Sequence, residues 1–119
     1  MPMFIDPTER VPVTVGGNTI YIRAKMTASV RARVEDEIAA KGLGDRRDME
    51  MRGLGSYSLA LLVHNIVAWE GSDFVDERGK PIPCTRANIE RLDLDEPLVV
   101  EVREEIGRRN APKESPDPN

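Results

Sequence analysis

Residues 57–83, YSLALLVHNIVAWEGSDFVDERGKPIP, constrain this chain more than any other stretch. Between Tyr57 and Trp69 most positions are apolar, and an acidic Gly/Pro turn follows at once. Read as a helix over residues 57–70, the segment is apolar nearly all round: Tyr57, Leu59, Leu61, Leu62, Val63, Ile66, Val67 and Trp69. Ser58 and Asn65 mark its narrow polar edge. Such a helix must be buried on most sides, or buried on one and covered by a partner on another. A chain of 119 residues has little material with which to cover every side. The expectation is an exposed apolar groove or strip near this helix.

The flanking elements are easier to read. Val11, Val13 and Val15 alternate with polar or neutral residues, and Ile20, Ile22 and Ala24 do so beyond Gly16-Gly17-Asn18. Period-two alternation broken by a Gly-rich turn predicts a β-hairpin. Pro12 lacks a backbone donor, which puts the first strand at a sheet edge. Thr27 is a suitable cap for a helix over residues 28–41, with Val30, Val34 and Ile38 on one face. Gly42 suits the left-handed residue after it. Residues 44–55 are charged, Met-bearing and bounded by glycines, and they fit a loop, a short helix or the frayed start of the next helix.

After the apolar segment, Asp76-Glu77-Arg78-Gly79 and Lys80-Pro81-Ile82-Pro83 predict a tight turn, at most a rudimentary hairpin. Thr85 caps a short helix over residues 86–92, with Ile89 and Leu92 inward. Asp95 is the expected cap of a last helix, with Pro97 in its first turn. Leu98, Val102 and Ile106 form its apolar stripe. Glu104 with Arg108, and Glu105 with Arg109, are favourable pairs of ~0.2–0.5 kcal/mol each.

The fold class is therefore α+β: an N-terminal β-hairpin, then a mainly helical domain of about four helices, and a disordered C-terminal tail. An N-terminal arm over residues 1–10 precedes a single domain over 11–109, and a Pro-rich tail over 110–119 follows.

Catalytic chemistry is hard to assemble from these residues. His64 is the only histidine and lies on the most apolar segment, which suits a packed or hydrogen-bonded side chain. Cys84 is the only cysteine, so no intrachain disulfide forms, and no base is linked to it. Structural zinc needs three or four Cys or His ligands. Asp73, Asp76 and Glu77 do not follow the calcium-loop spacing and fit a solvated acidic turn. Gly42-Leu43-Gly44 and Gly53-Leu54-Gly55 lack the remainder of a phosphate-binding loop. No catalytic, cofactor-binding or metal residue is assigned, and the chain is not expected to be an enzyme.

The formal net charge of −4, with acids and bases interleaved, argues against nucleic acid as a partner. No apolar run is long enough to span a bilayer, and the N-terminus lacks a signal-peptide pattern, so no membrane partner is expected. Binding by the apolar residues is what remains. The candidate partner-binding set is Leu59, Leu62, Val63, Ile66, Trp69, Phe74 and Ile82. Trp69, Phe74 and Ile82 flank the turn and can either close over one another or anchor a partner.

The passage Trp69…Asp76-x-x-Gly79-x-Pro81-x-Pro83-x-Thr85, following an apolar helix and preceding a last helix with a charged tail, resembles the tail assembly chaperones of long-tailed, siphovirus-like bacteriophages. The resemblance covers most of residues 11–109, but not the Arg-bearing segment between Gly42 and Gly55. It implies a non-catalytic protein of the bacterial host cytoplasm that binds the long, apolar tape measure protein and keeps it soluble. It further implies recruitment of tail tube protein and absence from the mature virion. Self-association is left open. Two other classes compete: a structural tail completion or connector protein of the virion, and a non-catalytic adaptor.

Overall fold

The computed structural model describes residues 3–40 and 54–112. Strands β1 (Arg10–Val15) and β2 (Asn18–Arg23) form the expected hairpin. Val13 faces Ile20 and Val11 faces Ile22 across it. Its turn is the pair Gly16–Gly17, and Gly16 takes φ +62, a conformation that suits glycine. Helix α1 (Ala28–Ala40) begins at Thr27, whose Oγ1 accepts from Val30 N at 3.2 Å. Helix α2 (Leu54–Asn65) leads directly into strand β3 (Ile66–Gly71). A 3₁₀ turn (Ser72–Phe74), a short helix α3 (Arg86–Ile89) and helix α4 (Pro97–Arg109) follow among the described residues. The molecule is α+β, with its three strands in the order β1-β2-β3, each antiparallel to its neighbour. Pro12 lies in the edge strand β1, as its missing donor requires.

The helix expected over residues 57–70 is in fact a helix and a strand in sequence. The helix ends at Asn65, and Ile66–Gly71 is the third strand. The β-branched pair Ile66-Val67 and the aromatic Trp69 suit a pleated, half-buried surface. Arg23 Nε donates to His64 O at 2.8 Å, which satisfies a terminal carbonyl with a cation where the helix dipole favours one. Tyr21 faces Ala68 and Ile22 faces Ile66, so Val67 is left over as a bulge. The bulge lets Ile66 and Trp69, three residues apart, share the inner face with Ile22 and Ile20.

The apolar strip expected beside this segment is largely covered for the same reason. Half of the segment buries a face as a strand, and α2 packs between α1 and α4. The main core joins Ile20 and Ile22 of β2, Leu62 of α2, Ile66 of β3, Ile89 of α3, and Leu98, Val99, Val102 and Ile106 of α4. A second core joins Met26, Val30, Val34, Ile38 and Ala60 between α1 and α2. The outer sheet face is polar. Thr14 and Thr19 share a 2.9 Å hydroxyl bond, Tyr21 OH donates to Glu70 Oε1 at 2.8 Å, and Arg10 lies over the Tyr21 ring.

Two polar side chains tie the elements together. Asn110, buried at the end of α4, accepts from Met26 N at 2.8 Å and donates to Ile106 O at 2.8 Å. The folded unit therefore includes residue 110; the remainder of the expected tail from 113, and the expected Gly42 helix end, lie outside the described residues. Glu37 Oε1 of α1 accepts from Arg86 of α3 at 2.7 Å and lies 3.3 Å from His64 Nε2 of α2.

Two smaller expectations also change. The residue before α4 is Glu96, which makes no side-chain cap bond; Pro97 opens the helix, and Asp95 N donates to Asp93 Oδ1. Glu105 takes both Arg108 and Arg109, at 2.8 and 3.0 Å, because its spacing of three and four reaches both.

Candidate functional site

β3 delivers Trp69 to the end of the sheet, and the 3₁₀ turn brings Phe74 beneath it. The two rings stack with centroids 4.8 Å apart and planes 11° from parallel. Trp69 Nε1 donates to Ile82 O at 2.7 Å, so the indole's polar edge is satisfied while its face stays apolar. Ile82 N donates to Phe74 O at 2.7 Å. Trp69, Phe74 and Ile82 thus form one cluster, and each is half-buried.

The turn between Phe74 and Ile82 is held by its polar residues. Val75 and Pro81 form a bridge, and Asp76 N donates to Lys80 O at 2.8 Å. Asp76 Oδ1 accepts from both Arg78 N and Lys80 N. Gly79 takes φ +77, as a tight return requires. Thr85 Oγ1 then accepts from Asn88 N at 3.3 Å and starts α3. A hollow of about 150 Å³ opens beside the cluster, completed by Asn88, Arg91 and Leu92. The sequence reading did not name these three as site residues. Asn88 lies in α3, and Arg91 and Leu92 follow it in a tight turn closed by Arg91 N donating to Asn88 O at 3.1 Å; the sequence spacing of three and four is the signal that groups them.

The seven expected partner-binding residues divide. Leu62 is fully buried and Ile66 nearly so, both in the main core. They offer a partner almost no surface, because both pack into the core that β2 and α4 line. Leu59 and Val63 are half-buried on α2, and Val63 packs against the core. Only Trp69, Phe74 and Ile82 come together at the surface. Other large apolar side chains exposed among the described residues are the adjacent Met3 and Phe4 of the arm, and Tyr57, Val67 and Val75.

The residues with reactive chemistry are occupied otherwise. His64 is 17% exposed and faces Glu37. Burial pushes the Glu37 carboxyl up, but the hydrogen bonds and charges of Arg86 and His64 outweigh it and leave it below its ordinary value. Cys84 is half-buried, and burial pushes its thiol up, away from the reactive thiolate. Among the described residues no group of three His, Cys, Asp or Glu side chains can hold a metal ion. Among them, too, no helix is long and apolar enough to cross a membrane. Compared with known proteins, the chain matches no family model, no curated sequence and no solved structure.

Proposed function

We propose that this chain is a tail assembly chaperone of the long-tailed phage type, acting by binding and not by catalysis. It keeps segments of the apolar tape measure protein in solution, in the bacterial cytoplasm, and helps bring tail tube subunits to them. It leaves before the virion is complete.

The observation that carries this reading is the Trp69–Phe74–Ile82 cluster, half-open beside a hollow. Stacked aromatic residues with one face open are the usual anchors of a binding surface. The passage on which the resemblance rests is the passage that builds the cluster. Trp69 supplies the ring, Asp76 and Gly79 make the turn, Pro81 sits in the bridge, and Thr85 caps α3. Its polar residues serve to present its apolar ones, which suits a binding unit better than a catalytic one.

Co-expression with a tape measure protein tests the reading. The client is expected in the soluble fraction with the chain and in the pellet without it; equal solubility in both overturns the proposal. Mass spectrometry of purified particles separates it from a tail completion or connector role. A chaperone is absent from the particle, whereas a connector is retained.

A further inference from the structure

Phe74 has a second side. There, with Leu92, it walls another cleft of about 300 Å³ between the hairpin and the start of α4. Val15, Ile20, Pro97, Leu98 and Val99 supply the rest of the apolar lining, and Asn18 sits at the sheet end. The rim is acidic: Asp73 comes from the 3₁₀ turn, and Asp93 and Glu96 from the approach to α4. All three are exposed, and no Lys or Arg is among the described lining residues. Asn18 fixes Asp73, donating from Nδ2 to Oδ2 at 3.0 Å while its Oδ1 accepts from Asp73 N at 2.9 Å. Asp93 is fixed by Asp95 N. The carboxylates ring an apolar lining and do not converge as metal ligands, since no metal-holding group of three occurs among the described residues.

We propose that this cleft is a docking site for a cationic amphipathic segment of a partner polypeptide. One large apolar side chain of that segment enters between Phe74 and Leu92, and flanking Lys or Arg side chains meet Asp73, Asp93 and Glu96. The argument is charge complementarity around an apolar lining. The volume suits a Leu, Met or Phe side chain, and the rim selects its neighbours. An acidic segment with the same apolar residues is repelled, so the cleft discriminates among apolar clients. This inference rests on the proposed binding role and adds the chemistry of the segment bound.

The probe is an amphipathic peptide of leucine and lysine, roughly 18 residues long. It is titrated into the full chain by calorimetry and followed by the fluorescence of Trp69, which stacks on Phe74. Two control peptides replace lysine by glutamate, or leucine by serine. Two charge-matched variants of the chain are compared. One is Asp73→Asn with Asp93→Asn and Glu96→Gln, which keeps the side-chain acceptors used by Asn18 and Asp95. The other is Glu35→Gln with Asp36→Asn and Glu101→Gln, at exposed positions on α1 and α4.

The leucine–lysine peptide is expected to bind, more weakly as salt rises. The rim variant is expected to lose about tenfold in affinity, the size three exposed ion pairs together supply, and the distal variant to lose far less. Both control peptides are expected to bind more weakly than the leucine–lysine peptide. Equal affinity for the lysine and glutamate peptides overturns the inference, as does equal loss in the two variants. Occupation of the cleft by a second copy, or by a segment of the chain itself, gives no titration and also overturns it. None of these failures changes the tape measure solubility result, so the two proposals fail separately.

Discussion

Among the described glycines, Gly71 is the one at which an added Cβ meets the closest atoms. Its φ is +135, and an added Cβ would run into the backbone of Gly17 and Asn18 at the hairpin turn. It would also meet Asn18 Oδ1, a side-chain atom held by Asp73 N, but the two backbone atoms cannot swing aside. Gly71→Ala is expected to lower stability by about 1–3 kcal/mol, read from the urea midpoint. Glu37 makes a different prediction. Its carboxyl is held below the ordinary 4.5 in the fold. A carboxyl depressed on folding contributes stability that is present above its unfolded value and lost as pH falls through its folded value. Glu37→Gln is therefore expected to be less stable than the parent chain at neutral pH, by about 1 kcal/mol because Arg86 is half exposed. The gap should close as pH drops below about 4.5. Urea titrations across that range check it, and a gap independent of pH would contradict the assignment.

At the scale of elements, one feature depends on a pair far apart in sequence. Asn110 closes α4 onto Met26, two residues before α1, across 84 positions. Asn110→Ala leaves the buried Met26 N–H without a partner and is expected to cost about 1–3 kcal/mol, while Asn110→Asp keeps the acceptor and costs less; thermal unfolding of both variants separates the two. Sequence could not reveal this bond, because an Asn after a helix is ordinary until the fold brings its partner close. The hairpin was legible in the alternation of Val11, Val13, Val15, Ile20 and Ile22, and α1 and α4 in their apolar stripes. The segment from Tyr57 to Gly71 was not, since a continuous apolar run has no period that separates a buried helix from a buried strand. The usable signal was the β-branched pair Ile66-Val67, and the bulge at Val67 masked even that by breaking the alternation. That misreading also put part of the expected binding strip on α2, where the packing of α1 and α4 buries Leu62 and leaves Leu59 and Val63 half-buried.

Across the whole molecule, the candidate site was legible only where it is local. Trp69, Phe74 and Ile82 stood out because a short turn joins them, whereas Asn88, Arg91 and Leu92, and the acidic cleft beyond Phe74, depend on how α3 and α4 return to the sheet. Trp69 belongs to both fold and surface, and its variants separate the two roles. Trp69→Ala removes the stack and the Ile82 bond and is expected to cost ~3–5 kcal/mol. Trp69→Phe keeps an aromatic face and loses the indole donor, about 1 kcal/mol. The fold is expected to survive that change while client solubility in co-expression falls; unchanged solubility removes Trp69 from the site. The central claim, that this chain works by binding through the face around Phe74, is tested most directly by amide hydrogen exchange on the chain alone and in complex with a tape measure protein. The account predicts slowed exchange across residues 66–82 and 92–99 in the complex. Protection confined to the outer face of α1, with those two segments unchanged, would contradict it.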